Sequence, residues 1–346
     1  MEKRETSSNV PDFPYHPERR LTIRTHVPPE PFGPGHYKED APRPMVPAPK
    51  YKTNLEWCLQ NPPVETPPPE DLIVYTLCIV GEVACKPGRK VQLVSCYIEG
   101  AKDNLYIAKI YDALYCESGG EDITWWSDLR YAREASAYQD LGDADLDGKY
   151  TPKYFGSWTF DLPAPQQRNP TRPVRMIIIE YIPGPSICEI LDGDLASRIP
   201  REGRLGVMAE IAEMWVQLKK AGVQHDDMAP RNVMLRGLDL EQKGTYKLKP
   251  VLIDLEMSLA LGRDSCRYGL SQDPLASHPK YWLGLRCPEE WHAWVPEPES
   301  SKDASWRAWV LRIFEGREFA TDEIWEEMWE ERIREDAASN TTTGRI

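Results

Sequence analysis

The chain has 346 residues, a length that suits one large domain or two ordinary ones. Its hydrophobic content of 41% supports a sizeable core, and 42 Lys and Arg against 55 Asp and Glu leave a net charge of -13. That balance argues against a dedicated nucleic-acid binder, because phosphate neutralisation needs a basic surface. No apolar run approaches the ~18 residues of a membrane-spanning helix, and MEKRETSSNVPDFPYHPERR lacks the apolar core of a signal peptide. The 8 cysteines form no CxxC pair and no Cys/His cluster at zinc spacing. Reduced thiols are expected, several of them buried as small apolar residues, with a cytoplasmic or nuclear location following from them.

Proline sets off the beginning of the chain. It accounts for 32 residues, about twice the usual share, and half of them precede residue 71. Runs such as VPPEPFGPGHYKEDAPRPMVPAP cannot hold a helix or a central strand. Residues 1–70 are therefore expected to be a Pro-rich tail, extended or disordered. The alternative is an arm packed along the folded body, with Leu21, Ile23, Trp57 and Leu59 as anchors.

From Asp71 the pattern changes. LIVYTLCIVGEVAC, KVQLVSCYIEG and LYIAKIYDALYC are β-branched and aromatic runs separated by turn residues, and predict three antiparallel strands. ITWWSDLRYAREASAYQDL predicts a helix, with Glu134, Ala137 and Leu141 on one face. YTPKYFGSWTFD and VRMIIIEYI predict two further strands. After IPGP, RLGVMAEIAEMWVQLKKAG predicts a helix whose apolar stripe is Met208, Ile211, Ala212, Trp215 and Leu218, with Gly222 at its C-terminal end. Two short strands, NVMLRG and PVLIDLE, precede a C-terminal third expected to be helical. It includes a terminal helix, TDEIWEEMWEERIRED, with Trp325, Met328 and Trp329 on one side.

The most informative stretch is His225-Asp226-Asp227-Met228-Ala229-Pro230-Arg231-Asn232, of the form H-x-D-x-x-x-x-N, between an apolar helix and a strand. Phosphoryl transfer needs an acid to orient or deprotonate the acceptor hydroxyl, and oxygen ligands for Mg²⁺, which prefers carboxylate, amide oxygen and water. Asp227 and Asn232 supply both from one loop. Val251-Leu252-Ile253-Asp254 is an apolar strand ending in an acid, a candidate second metal ligand. Tyr106-Ile107-Ala108-Lys109-Ile110 is a strand with one Lys, and Glu134 lies on the helix that follows it.

These pieces, in this order over roughly residues 71–335, resemble the protein-kinase-like superfamily, which includes aminoglycoside and choline kinase relatives. The resemblance implies an α+β, bilobal protein-kinase-like fold preceded by the tail: an antiparallel-sheet N-lobe over 71–183, a mainly helical C-lobe over 184–336, and a disordered C-terminus over 337–346. It implies ATP and Mg²⁺ as cofactors. Lys109 then contacts the α- and β-phosphates and pairs with Glu134. Asp227 is the catalytic base, and Asn232 and Asp254 bind Mg²⁺. Glu180-Tyr181-Ile182 resembles the hinge that holds adenine, and His225 packs behind the site.

The sequence also departs from that pattern. VGEVACKPGRKVQ has no GxGxxG, Asp226 and Ala229 replace the Arg and Lys of the protein-kinase loop, and DLE replaces DFG. An active phosphotransferase acting on a protein or small-molecule hydroxyl acceptor is the first expectation, resting on the five polar positions. A pseudokinase serving as a nucleotide-binding regulatory or scaffold module is the second. The acids Asp226 and Glu256 suit a cationic acceptor. Cys287-Pro288-Glu289 vaguely resembles the A-P-E that closes a protein-kinase activation segment. PRPMVPAP permits a third role, as a ligand for proline-binding modules.

Overall fold

In a computed structural model of the chain, the structure describes residues 12–38, 41–47, 52–117, 121–164, 171–238, 248–270, 278–315, 330–331 and 333–334. The fold is α+β and divides into two units. One comprises the chain up to Ile182 together with Asp254–Arg267; the other comprises Pro183–Ile253 and the chain from Tyr268 onward.

The first unit is built on a closed barrel of six strands in the order β1-β2-β3-β4-β6-β5: β1 (Arg20–Thr25), β2 (Val74–Ala84), β3 (Gln92–Ile98), β4 (Tyr106–Tyr111), β5 (Tyr154–Pro163) and β6 (Thr171–Glu180). Strands β2 to β6 match the five read from the sequence. The sixth comes from the proline-rich segment and closes the barrel by pairing Arg24 with Thr159 and Thr25 with Trp158. The physical reason is local: RLTIRT contains no proline, its alternation fits a half-buried strand, and Leu21 and Ile23 point into the core at 4% and 0% exposure. Among the described residues of 1–70, β1 packs on the body as the arm alternative has it, rather than as an extended or disordered tail.

Two further features tie that arm down. Tyr15 is fully buried, and its hydroxyl donates to Asp112, which also takes a bidentate pair of bonds from Arg172 at 2.5 and 2.7 Å. The proline-free stretch Asn54–Gln60 forms helix α1, begun by a capping box between Thr53 and Glu56 and burying Leu55, Trp57 and Cys58.

Helix α2 (Ile123–Asp143) starts at Asp122, whose carboxylate accepts from the Trp125 amide at 3.0 Å. Glu134, Ala137 and Leu141 are all buried on it. In the second unit, helices α3 (Ile187–Asp192) and α4 (Arg201–Lys220) are followed by the paired strands Val233–Arg236 and Lys249–Leu252. The α4 stripe Met208, Ile211, Ala212, Trp215 and Leu218 is buried. Among the described residues from Tyr268 to Glu315, the C-terminal part is less helical than its sequence suggests. It holds the short α5 (Pro279–Leu283) and the longer α6 (Asp303–Ile313), with Pro288, Pro296 and Pro298 interrupting the stretch between them. Its core is made by Trp291, Trp294 and Trp306, all fully buried, whose indole N–H groups donate to the Met228, Arg204 and Leu283 carbonyls. Trp325, Met328, Trp329 and residues 337–346 lie outside the described residues. All 8 cysteines are free thiols, and among the described residues no helix is long and apolar enough to cross a membrane.

Two predictions follow from the arm. Ile23→Ala removes a fully buried side chain from β1 and should cost about 3 kcal/mol in urea denaturation, whereas Val27→Ala, at 42% exposure, should change stability by less than about 0.5 kcal/mol. His26 bonds the Tyr131 hydroxyl at 2.7 Å through Nδ1. Burial, then Arg175 and Arg24, lower its pKa to about 3, so the folded protein holds it neutral. An unfolded histidine protonates near ~6.5. Its contribution to stability is thus present above that pH and is lost as pH falls towards 3. His26→Gln should lose less stability than the wild type over that window; parallel curves would contradict the assignment.

Candidate active site

Strand β4 runs between β3 and β6, with Lys109 opposite Leu93 on one side and Ile177 on the other. A central strand position leaves the ammonium almost no water: the residue is 4% exposed. A buried cation is tolerated only when paired and hydrogen-bonded. Lys109 Nζ donates to Glu134 Oε1 on α2 at 2.7 Å and to Asp254 Oδ1 at 2.8 Å. Burial pulls the lysine pKa down, but Asp254, Glu134 and Glu256 outweigh it and raise the value above the ordinary range. Lys109 is a fixed positive charge.

Glu134 is fully buried and accepts from more than the lysine. Tyr111 Oη donates to Oε2 at 2.5 Å, and the Leu255 amide donates to Oε1 at 3.1 Å. Burial pushes its carboxyl up to about 7, opposed by the pull of Lys109. Asp254 has a φ of 65°, a left-handed conformation uncommon outside glycine. Strain of this kind collects where the surroundings dictate it, as at functional sites. Glu256 stands 3.9 Å from Arg130 Nε, and burial followed by Asp254 raises its pKa.

The second group of site residues lies in the second unit, on the loop before Val233–Arg236. The Asp227 amide donates to His225 Nδ1 at 3.1 Å, so Nε2 carries the ring proton and donates to the Ile253 carbonyl at 3.1 Å. His225 is 3% exposed and shapes the loop from behind. Asn232 Nδ2 donates to both the backbone oxygen and Oδ2 of Asp227 at 2.9 Å. Arg231 forms an ion pair with Oδ1 of Asp227. A short 3₁₀ turn at Pro230–Asn232 sets up this arrangement. With its amide nitrogen committed to Asp227, Asn232 presents its carbonyl oxygen on the other side of the amide. Burial raises the pKa of Glu290, with Arg231 and Asp227 in electrostatic reach of it.

The structure thus brings Lys109, Glu134 and Asp254 together in the first unit, and Asp227 and Asn232 together in the second. Glu180 ends β6, with its amide already donating to the Lys153 carbonyl at 2.8 Å. Of its neighbours, Tyr181 is exposed and Ile182 buried. The sequence reading missed Tyr111, whereas Arg231 is the neighbour it offers in place of the cation lost at Ala229. Tyr111 was findable, because it is two residues from Lys109 on a strand and so shares its face. Tyr138, one turn after Glu134, is buried and stacks on Tyr154 at 5.4 Å. It too follows from helical spacing.

The donor types fit a magnesium nucleotide. Among the described residues no three His, Cys, Asp or Glu side chains gather as a metal site. Mg²⁺ needs no such cage; it binds through one or two carboxylates with phosphate oxygens and water. Asp254 in the first unit and Asn232 in the second each carry an oxygen donor of that kind.

No protein-family model matches the sequence, and no curated protein matches it. In fold, the chain is similar to solved protein kinase domains over about half its length. One is the Mycobacterium tuberculosis PknI kinase domain, with a TM-score of 0.35 and 14% identity, over 52% of this chain and 59% of that one. A double mutant of the same domain matches with a TM-score of 0.33 and 14% identity, over 52% and 58%. The chain thus spans less than two thirds of those kinase domains.

Because both partners are buried, Glu134→Ala should destabilise the protein by about 3 kcal/mol in urea denaturation. Asp254→Asn keeps a residue that tolerates positive φ. Its carboxylate is 36% exposed, so the loss should be below about 1 kcal/mol. Equal losses would mean that the Lys109–Glu134 pair is not the structural half of this cluster.

Proposed function

We propose that the chain is an ATP- and Mg²⁺-dependent phosphotransferase that moves the γ-phosphoryl group to a hydroxyl on a protein or small-molecule acceptor. The observation that carries this reading is the Lys109 ammonium, buried and clamped between Glu134 and Asp254. A lysine kept for stability alone gains little from such burial, whereas a phosphate-binding lysine gains a fixed position and a strong field. Lys109 binds the α- and β-phosphates, and Glu134 orients it. Asp254, in the first unit, and Asn232, in the second, would each offer Mg²⁺ an oxygen ligand, and the ion would neutralise phosphate oxygens. The sequence resemblance supports these roles.

Asp227 receives the proton of the acceptor hydroxyl. Asn232 and Arg231 both bond its carboxylate and fix its direction. Arg231, two residues after Ala229 and paired with Asp227, also supplies the cation that Ala229 does not.

A second reading, a pseudokinase acting as a nucleotide-binding regulatory or scaffold module, draws on the loop between β2 and β3. Its amides are engaged internally: Lys86 N donates to Gln92 Oε1 at 2.9 Å and Gly88 N to the Tyr115 carbonyl at 2.7 Å. Amides used in this way do not grip phosphate, so a conventional glycine-rich loop is replaced rather than mimicked.

Phosphate transfer from Mg·ATP to a mixed pool of proteins and metabolites separates the two. The wild type should turn over, and Asp227→Ala should lose at least about a hundredfold while keeping its Mg·ATP-induced rise in melting temperature. A rise in melting temperature with no transfer by the wild type selects the pseudokinase reading.

A further inference from the structure

The function of the proline-rich arm can be read from what it grips. Phe32 is buried against α2, edge-on to Trp125 with ring centroids 5.6 Å apart and packed with Leu129 and Ala132. Its carbonyl accepts from Arg133 Nε at 3.0 Å, and the Arg133 guanidinium lies over the Tyr37 ring at 5.2 Å. Arg133 is the residue immediately before Glu134. Gly33 has a φ of 132°, and a Cβ there would sit 2.9 Å from Leu129 Cδ1 and overlap the Arg133 guanidinium. Only glycine allows the arm to approach α2 this closely.

The same turn holds the segment that follows Asp254. Tyr37 Oη accepts from the Ala260 amide at 3.1 Å, Lys38 N donates to the Ser265 carbonyl at 2.8 Å, and Arg267 N donates to the His36 carbonyl at 2.9 Å. Arg263 completes the tie, bonding Asp140 on α2 at 3.0 Å and Glu30 on the arm at 3.3 Å. One short stretch thus touches both elements that deliver an acid to Lys109.

We propose that Phe32, Gly33 and Tyr37 are positioning residues: by gripping α2 and Leu259–Arg267 together, they keep Glu134 and Asp254 on the Lys109 ammonium. The proposal rests on the reading of Lys109 as the phosphate-binding lysine, but its test does not need turnover.

In the full chain, Phe32→Ala and Gly33→Ala are compared with Ile23→Ala, which weakens the same arm at the barrel. Global stabilities are matched by adjusting urea. Hydrogen exchange is followed at Leu255, whose amide donates to Glu134, and along α2. Both arm variants should speed exchange at these amides about tenfold beyond Ile23→Ala. If the wild type turns over ATP, they should also raise KM for ATP about tenfold with a smaller change in kcat. If it does not, the phosphotransferase reading fails while the exchange result still decides the arm's role. Exchange no faster than in Ile23→Ala overturns the proposal. Should both variants fail to fold, Tyr37→Phe keeps the ring, removes the acceptor for Ala260, and gives the same readout.

Discussion

An ammonium group buried in the wall of a β-barrel has to be matched by carboxylates, and the first unit is organised around meeting that requirement at Lys109. Desolvation alone would drive the proton off such a lysine; Glu134 and Asp254 reverse the balance. Each acid is then buried or constrained in turn. Glu134 needs Tyr111 and the Leu255 amide as further donors, and Asp254 adopts a positive φ. The charge cluster is therefore a set of mutual conditions, in which loss of one member leaves another uncompensated.

That dependence explains why so much chain is devoted to holding α2 and the residues after Asp254. An isolated ion pair contributes little stability and can cost some, so the cluster does not assemble itself. Apolar packing of α2 and the hydrogen bonds of the arm supply the binding, and the charges gain direction from it. In the second unit the Asp227 loop follows the same logic on a smaller scale. Asn232 and Arg231 fix a partly exposed carboxylate, and the buried His225 ties the loop to the Ile253 carbonyl.

Much of this was legible in the sequence because it depends on short-range pattern. The β2 to β6 runs announce themselves by β-branched content, α2 and α4 by their apolar spacing, and the Asp227–Asn232 loop by a fixed interval on one turn. What proved illegible was long-range. Proline density masked β1, since a six-residue proline-free run carries too little periodicity to stand out, and its partners lie about fifty residues and more further along the chain. The arm's grip on α2 depends on Gly33 and Arg133, a hundred residues apart, which no local pattern connects. The C-terminal part reads as helical, but the prolines between its tryptophans interrupt it, and the Trp291 and Trp294 indoles are satisfied by the Met228 carbonyl and by the Arg204 carbonyl of α4.

The central claim is that Lys109, Glu134 and Asp254 form a nucleotide-phosphate site. Its most direct test is a crystal structure of the full chain with Mg²⁺ and a non-hydrolysable ATP analogue. The account predicts Lys109 Nζ in contact with the α- and β-phosphate oxygens and the metal bound to Asp254. A nucleotide bound elsewhere, or Lys109 still engaged only by its two carboxylates at saturating nucleotide, would contradict it.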